Sequence, residues 1–323
     1  MQRRRLGHTD LELSVLSLGT VALGMAYGIT PHADHQRGQS GGIGPPSLAE
    51  ATRLIHRALD GGINFIDTAR AYGRAEEVVG HALQGRRQQA IIATKINCFD
   101  GQGKRLHGPA LRQQMQDSLT TSLRLLRTDW VDLLMLHSAP LELLEDGTAL
   151  DMLQRFKQQG LARTIGASTY GSAAPCRAIE LGVDALQIAY NILDQRLADD
   201  IMPLAQAKGV GIIVRSVFLK GALTPRAADL PPHLAPLQQQ SEAIAHYAHS
   251  LTPPLRRSEI ALRFVLSQTT VTSALVGVRT EEELEAALQT ADSPPLPSAI
   301  MNHLAAFRVL DPMLLDPSTW NLP

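Results

Sequence analysis

Cysteine is scarce in this chain: Cys98 and Cys176 are its two thiols in 323 residues. Two cysteines can build neither a disulfide framework nor a four-thiolate metal site, and they suit a reducing compartment. Aromatic residues make up 4%, which argues against a pocket walled by rings for a large apolar ligand. Net charge is also nearly absent. At -1 it gives no reason to expect nucleic acid or an anionic membrane as partner. No run is long and apolar enough to cross a membrane. Arg3, Arg4 and Arg5 precede an uncharged stretch over 13–31, an arrangement superficially like an export signal. Asp10 and Glu12 interrupt its approach and Ser14, Ser17, Gly19 and Gly24 dilute it. We expect an internal strand and loop there, and a cytoplasmic protein.

What the chain does have is alternation. Short apolar runs fall at 15–20, 64–69, 90–95, 131–137, 162–169, 185–191, 211–217 and 273–277. Segments with helical spacing lie between them, among them 48–60, 111–126, 150–159 and 197–208. Several runs, such as Val131-Asp132-Leu133-Leu134-Met135-Leu136, are nearly continuous in apolar residues, as strands buried on both faces are. Eight strands alternating with helices predict a single (β/α)8 TIM barrel, an α/β fold, over residues 1–323. Its core would span about 13–290, with a tail over 291–323. Residues 3–13 would form an N-terminal hairpin turning at Gly7-His8-Thr9-Asp10 and closing the barrel's bottom. Three stretches read as irregular: 30–46, 223–236 and 293–323. The first two follow strands, so they would be loops of the C-terminal face, where barrel active sites are built.

Three successive strands end on titratable groups. Asp67 closes Asn64-Phe65-Ile66-Asp67, Lys95 closes Ile91-Ile92-Ala93-Thr94-Lys95, and His137 closes Leu133-Leu134-Met135-Leu136-His137. Tyr72 follows Asp67 in the next loop. Singly, each has a structural explanation: a satisfied histidine, a solvated lysine, a turn-capping aspartate. Together, on adjacent strand ends, they form a proton-transfer set. A carbonyl that accepts hydride develops negative charge on oxygen and needs a proton donor. Tyr72 can be that donor if the Lys95 ammonium lowers its pKa from about 10 by about 1–3 units. Asp67 would hold Lys95, and His137 would orient the carbonyl oxygen.

The segment Gly62-Ile63-Asn64-Phe65-Ile66-Asp67-Thr68-Ala69-Arg70-Ala71-Tyr72-Gly73, followed by Glu76 or Glu77 and Gly80, resembles the signature of the aldo-keto reductase superfamily. So do Thr94-Lys95, Asp129-Trp130-Val131-Asp132-Leu133-Leu134-Met135-Leu136-His137, Ile165-Gly166-Ala167-Ser168, Gln187-Ile188-Ala189-Tyr190-Asn191 and Gly277-Val278-Arg279-Thr280. The resemblance covers about residues 3–290. It implies that Asp67, Tyr72, Lys95 and His137 form a catalytic tetrad. It also implies an extended NADP(H), with NAD(H) as a further possibility, laid across the top of the barrel. No Gly-x-Gly-x-x-Gly follows a strand and opens a helix, so a Rossmann unit is excluded, and Asp100-Gly101-Gln102-Gly103-Lys104 lacks P-loop spacing. By the resemblance, Ser168 and Gln187 would bind the nicotinamide carboxamide, Ser216 and Gly221 would lie by the pyrophosphate, and Arg279 by the adenosine 2′-phosphate.

Some positions depart from the family pattern. Arg215 stands where many members stack an aromatic ring on the nicotinamide; its guanidinium plane can stack too. Thr169 replaces a common Asn, and Ala286-Ala287 replace an acid and an Asn at the adenine end. Glu281, Glu282 and Glu283 set negative charge beside Arg279. His32, Asp34 and His35 lack a third metal ligand and read as a polar loop, so no metal is expected. Cys98 reads as an ordinary loop thiol. The segments around 18–28 and 215–221 are similar to a bacterial branch associated with sugar and surface-polysaccharide metabolism. The resemblance thus implies reduction of an aldehyde, ketone or sugar carbonyl. The same site could run as a sugar dehydrogenase, and a low-turnover NADP(H)-binding regulatory subunit is the alternative from another class.

Overall fold

The computed structural model describes residues 1–29, 43–320 and 322. His32, Asp34 and His35 lie outside the described residues. The chain begins with an antiparallel hairpin of β1 (Arg3–Arg5) and β2 (Glu12–Ser14), in register Arg3 to Ser14. Eight parallel strands then follow: β3 (Leu16–Gly19), β4 (Phe65–Asp67), β5 (Ile91–Ile96), β6 (Val131–Leu136), β7 (Ala162–Ser168), β8 (Ala185–Ala189), β9 (Gly211–Arg215) and β10 (Val271–Gly277). Each pairs with the next, and β10 returns to β3 through Ala274–Leu16 and Val276–Leu18, closing the barrel. Every strand lies within two residues of its expected limits.

The strands form where the sequence is apolar on both faces. All six residues of β6 are buried. Its one charge, Asp132, accepts from the Ile92 amide at 2.8 Å and from Arg87 and Arg163 at 3.0 and 3.1 Å, so the buried carboxylate is fully paired. Outside the strands, the helix Leu48–Asp60 buries Ala51, Leu54, Ile55 and Ala58, one face at helical spacing. It starts at a reciprocal cap: Ser47 Oγ accepts from the Glu50 amide, and Glu50 accepts from the Ser47 amide at 2.9 Å. The expected helices over 111–126 and 150–159 are realised as Gly108–Leu126 and Thr148–Gln158. The segment 197–208 contracts to Ile201–Ala207, because Asp200 caps the Ile201 amide at 2.6 Å and starts the helix there.

Two stretches expected to be irregular carry structure. In 223–236, prolines at the first turns start the 3-10 segments Pro225–Asp229 and Pro232–Leu234, and the helix Ala235–Ser250 begins. The tail folds into helices Ser298–Ala305 and Pro312–Leu315 and buries Trp320, whose indole donates to the Leu314 carbonyl at 3.2 Å.

Apolar side chains from inside the barrel, including Phe65, Leu133, Met135, Ile213 and Leu275, form a cluster with Leu6, Leu11 and Leu13 of the hairpin. The hairpin therefore fills the barrel's floor, as expected. Its turn needs glycine at position 7: φ is +55°, and a Cβ would strike the Gly209 carbonyl, which already accepts from the His8 amide at 2.8 Å.

Candidate active site

The strand ends at the opposite rim deliver the expected charged groups together. Asp67 ends β4 and Lys95 lies on β5; the Lys95 side chain is fully buried and that of Asp67 4% exposed. Lys95 Nζ donates to Asp67 Oδ2 at 2.6 Å, to the Thr68 carbonyl at 3.1 Å and to the Tyr72 hydroxyl at 3.4 Å. Gln187 Nε2 on β8 donates to the other Asp67 oxygen at 2.8 Å. The carboxylate thus has a partner on each oxygen, as a buried charge requires. The His137 ring meets the Tyr72 ring edge-on, with centroids 5.5 Å apart.

Local backbone contacts hold Tyr72 in place. Its amide donates to the Ala69 carbonyl at 3.0 Å, and the Arg74 amide donates to the Gly24 carbonyl at 3.2 Å. Gly24 packs so closely that a Cβ there would strike the Tyr72 carbonyl and the Ala75 amide. The sequence leaves Glu76 and Glu77 as alternatives behind this loop. Glu76 is the buried one, accepting from Arg70 at 3.0 Å and from Thr94 Oγ1 at 2.6 Å, while Glu77 is exposed.

Electrostatics correct one expectation. Burial pushes the Tyr72 phenol above its ordinary value, and the pull of Lys95 in the other direction does not undo it; Asp67 adds to the rise. Losing solvent disfavours the phenolate more than one ammonium, itself paired to Asp67, restores. Tyr72 is therefore held as a neutral acid. Lys95 is pushed down by burial, but Asp67 and then Tyr72 carry it above the ordinary lysine range, so it stays charged. Burial, then Lys95 and Arg215, push His137 down to about 3, so it is a neutral imidazole at physiological pH. Burial raises the Cys98 thiol to about 12 and leaves it inert, in accord with an ordinary loop thiol.

Asp67, Tyr72 and His137 line one end of a cavity of about 700 Å³ that runs along the rim to Ala286, Ala287 and Thr290, with Lys95 buried behind them. Ser168 and Gln187, side by side in register on β7 and β8, and Arg215, Ser216, Gly221 and Arg279 all line it. The rim is conformationally strained. Ser138, Ser216, Leu219 and Lys220 have φ values of +43 to +60° without being glycine, and strain of this kind clusters at functional sites. Asn191 pins Ser216 by donating to its carbonyl at 2.9 Å.

At the far end two arginines converge. Arg279 bonds the Tyr27 carbonyl through its side chain, and its amide donates to Glu283 at 2.8 Å. Arg226 donates to the other Glu283 oxygen at 3.2 Å. Of the three successive glutamates, Glu283 thus turns to the arginines, whereas Glu281 lies 3.9 Å from Arg53 outside. Among the described residues, Arg226 Nη1 and Arg279 Nε have no hydrogen-bond partner. Burial, then the neighbouring Arg226, lowers the Arg279 pKa, and Glu283 opposes them. Sequence reasoning missed Arg226, Tyr27 and Tyr170. For Arg226 the available signal was a basic residue in a loop placed on the catalytic face.

A cavity of this size, with titratable groups at one end and surplus guanidinium donors at the other, suits a small-molecule oxidoreductase that holds a phosphate-bearing cofactor. Residues 16–308 match the aldo/keto reductase family; the chain belongs to that family of nicotinamide-dependent oxidoreductases. It is 28% identical over 302 residues to L-galactose dehydrogenase of Arabidopsis thaliana, covering 88% of this chain and 86% of that one. It is 30% identical over 239 residues to the NADH-specific methylglyoxal reductase of Escherichia coli (strain K12), covering 69% of each. The holo form of aldo-keto reductase AKR11C1 from Bacillus halodurans superposes with a TM-score of 0.77 at 26% identity, covering 95% of this chain and 96% of that one. The barrel fold and the family resemblance stated above are thereby borne out.

Proposed function

We propose that this protein reduces an aldehyde, ketone or sugar carbonyl with an NAD(P)H cofactor, acting in the cytoplasm, with Tyr72 as general acid. The observation that carries the reading is the position of Lys95 Nζ, 2.6 Å from Asp67 and 3.4 Å from the Tyr72 hydroxyl, with Tyr72 facing the cavity. Tyr72 gives its proton to the substrate oxygen as negative charge develops there. Lys95 stabilises the phenolate left behind, and Asp67 keeps Lys95 charged and aimed. His137, neutral and beside Tyr72, donates a hydrogen bond that orients the carbonyl. A positioned acid of this kind supplies about 10²–10⁴ in rate. The cofactor, when bound, supplies the hydride.

For the cofactor, Ser168 and Gln187 would meet the carboxamide, with Gln187 Oε1 as the acceptor because its amide nitrogen serves Asp67. Ser216 and Gly221 would serve the pyrophosphate. Arg279 would take the 2′-phosphate, joined by Arg226, and the two guanidiniums favour NADPH over NADH, opposed by Glu282 and Glu283, which line the same end. Bidentate pairing is worth about 1.5–3 kcal/mol, and Glu283 offsets part of it. The preference is therefore modest, and NADH is used as well. The relative named as a dehydrogenase of L-galactose favours a second reading, oxidation of a sugar at the same site.

Single-turnover mixing of the protein with NADPH and methylglyoxal tests the reading. Loss of the cofactor's absorbance at enzyme stoichiometry supports the reductase; tight cofactor binding without turnover supports a regulatory subunit instead. Fluorescence titration of Arg279→Ala should show weakened NADPH binding and nearly unchanged NADH binding. Equal weakening of both would remove Arg279 from 2′-phosphate recognition.

A further inference from the structure

We propose that Arg215 is a substrate-specificity residue and that the carbonyl substrate carries an anionic group, a carboxylate or a phosphate, which pairs with its guanidinium. The inference rests on the carbonyl-reducing reading of the cavity and deepens it by naming the substrate class.

Arg215 ends β9 and lines the same end of the cavity as Tyr72, His137 and Tyr170. Its guanidinium lies 4.1 Å from the Tyr170 ring centroid, is half-buried, and is tethered by two bonds, Nη2 to the Thr169 carbonyl and Nη1 to Ser216 Oγ, each 3.2 Å. Those bonds use two of its five N–H donors and hold the plane still without neutralising it. No carboxylate among the described residues comes within ion-pair distance of Arg215. The acids that line the cavity are engaged or distant: Asp67 serves Lys95 and Gln187, Glu283 serves Arg226 and the Arg279 amide at the other end, and Glu282 precedes Glu283 in the same helix.

The chemical end of the cavity therefore carries one charge that the protein leaves uncompensated. Its field reaches the reacting groups, since Arg215 helps to depress His137 and opposes the rise of Tyr72 and Tyr27. A preorganised cation in a partly desolvated pocket gains most from an anion delivered by the ligand. The planar fork of a guanidinium suits carboxylate and phosphate oxygens. The phosphates of the cofactor have other partners available, Lys220, Arg226 and Arg279, which line the cavity farther along. An apolar aldehyde would leave Arg215 unpaired, so the site discriminates by charge as well as by shape.

The test compares pairs of substrates of which only one member carries an anionic group. 4-Carboxybenzaldehyde is set against methyl 4-formylbenzoate, and glyceraldehyde 3-phosphate against glyceraldehyde, in wild type, Arg215→Met and Arg215→Lys. We expect kcat/KM in wild type to favour at least one charged member by about 10- to 100-fold, mostly through KM. Arg215→Met should remove that ratio and Arg215→Lys should keep part of it. The pair that responds identifies the anion as carboxylate or phosphate. A ratio near one in wild type, or one that survives Arg215→Met, overturns the proposal while leaving the reductase reading intact. Should none of the four compounds be reduced, the reductase reading fails separately. Calorimetry with the alcohol 4-(hydroxymethyl)benzoate against benzyl alcohol then decides the anion site: equal affinity overturns it, and tighter binding of the carboxylate that Arg215→Met abolishes supports it. Weaker NADPH binding in Arg215→Met with an unchanged substrate ratio assigns Arg215 to the cofactor and also overturns the proposal.

Discussion

Gly24 lies against the backbone of Tyr72 with no room for a methyl group between them. The contact joins the short helix Val21–Gly24 after β3 to the loop after β4 that carries Tyr72. Gly24→Ala must push the Tyr72 loop outward. A displacement of about 1 Å in a reacting group can cost about a hundredfold. We expect kcat to fall by about 10- to 100-fold, with overpacking costing about 1–3 kcal/mol in urea unfolding. Wild-type turnover in Gly24→Ala would show that the loop absorbs the methyl and that this contact does not position Tyr72.

Tyr72→Phe removes the hydroxyl proposed as the proton donor and little else. The fold should persist, NADPH affinity should stay within about twofold, and kcat should drop by about a hundredfold or more. Steady-state kinetics beside a fluorescence titration separates the two effects. Retained turnover would assign the acid to another group.

Lys95→Met should be costly to stability for a reason unrelated to packing. It leaves the Asp67 carboxylate buried without its ammonium, and breaking such a pair from one side costs about 3–5 kcal/mol. The double variant Lys95→Met/Asp67→Asn has no charge left to strand, so its urea midpoint should recover toward wild type while activity stays lost. A double variant no more stable than the single one would mean that lost packing dominates.

His137 sets an acid limit. In the unfolded chain it takes a proton near its ordinary value of 6.5; in the folded state burial, Lys95 and Arg215 defer that to about 3. Between those values the unfolded state holds more protons, so stability rises with pH. The stability associated with neutral His137 is full above about pH 6.5 and is lost as pH falls toward 3, at up to about 1.4 kcal/mol per pH unit. Urea midpoints at pH 7, 6 and 5 should decline in wild type and decline less in His137→Gln. Parallel declines would place the titrating group elsewhere.

The barrel was legible because its strands are buried on both faces, and such runs read the same from either side. Asp67, Lys95 and His137 were legible because a charge at the end of an apolar strand stands out against its neighbours. The behaviour of Tyr72 was not. Its raised pKa comes from the desolvation of a whole pocket, and no local spacing encodes that quantity. The pairing of Arg226 with Glu283 was hidden for a different reason: 57 positions separate them, and the fold alone brings them together. Likewise the tail helices have little periodicity of their own and owe their form to burying residues such as Leu304 and Trp320.

Leu6, Leu11 and Leu13 stop the floor of the barrel as a cork stops a bottle. With apolar side chains packed from that end, the interior of the barrel is solid core and offers no passage along its axis. Shortening Leu6, Leu11 or Leu13 would therefore be felt as lost packing in unfolding measurements, not as a leak between the two faces.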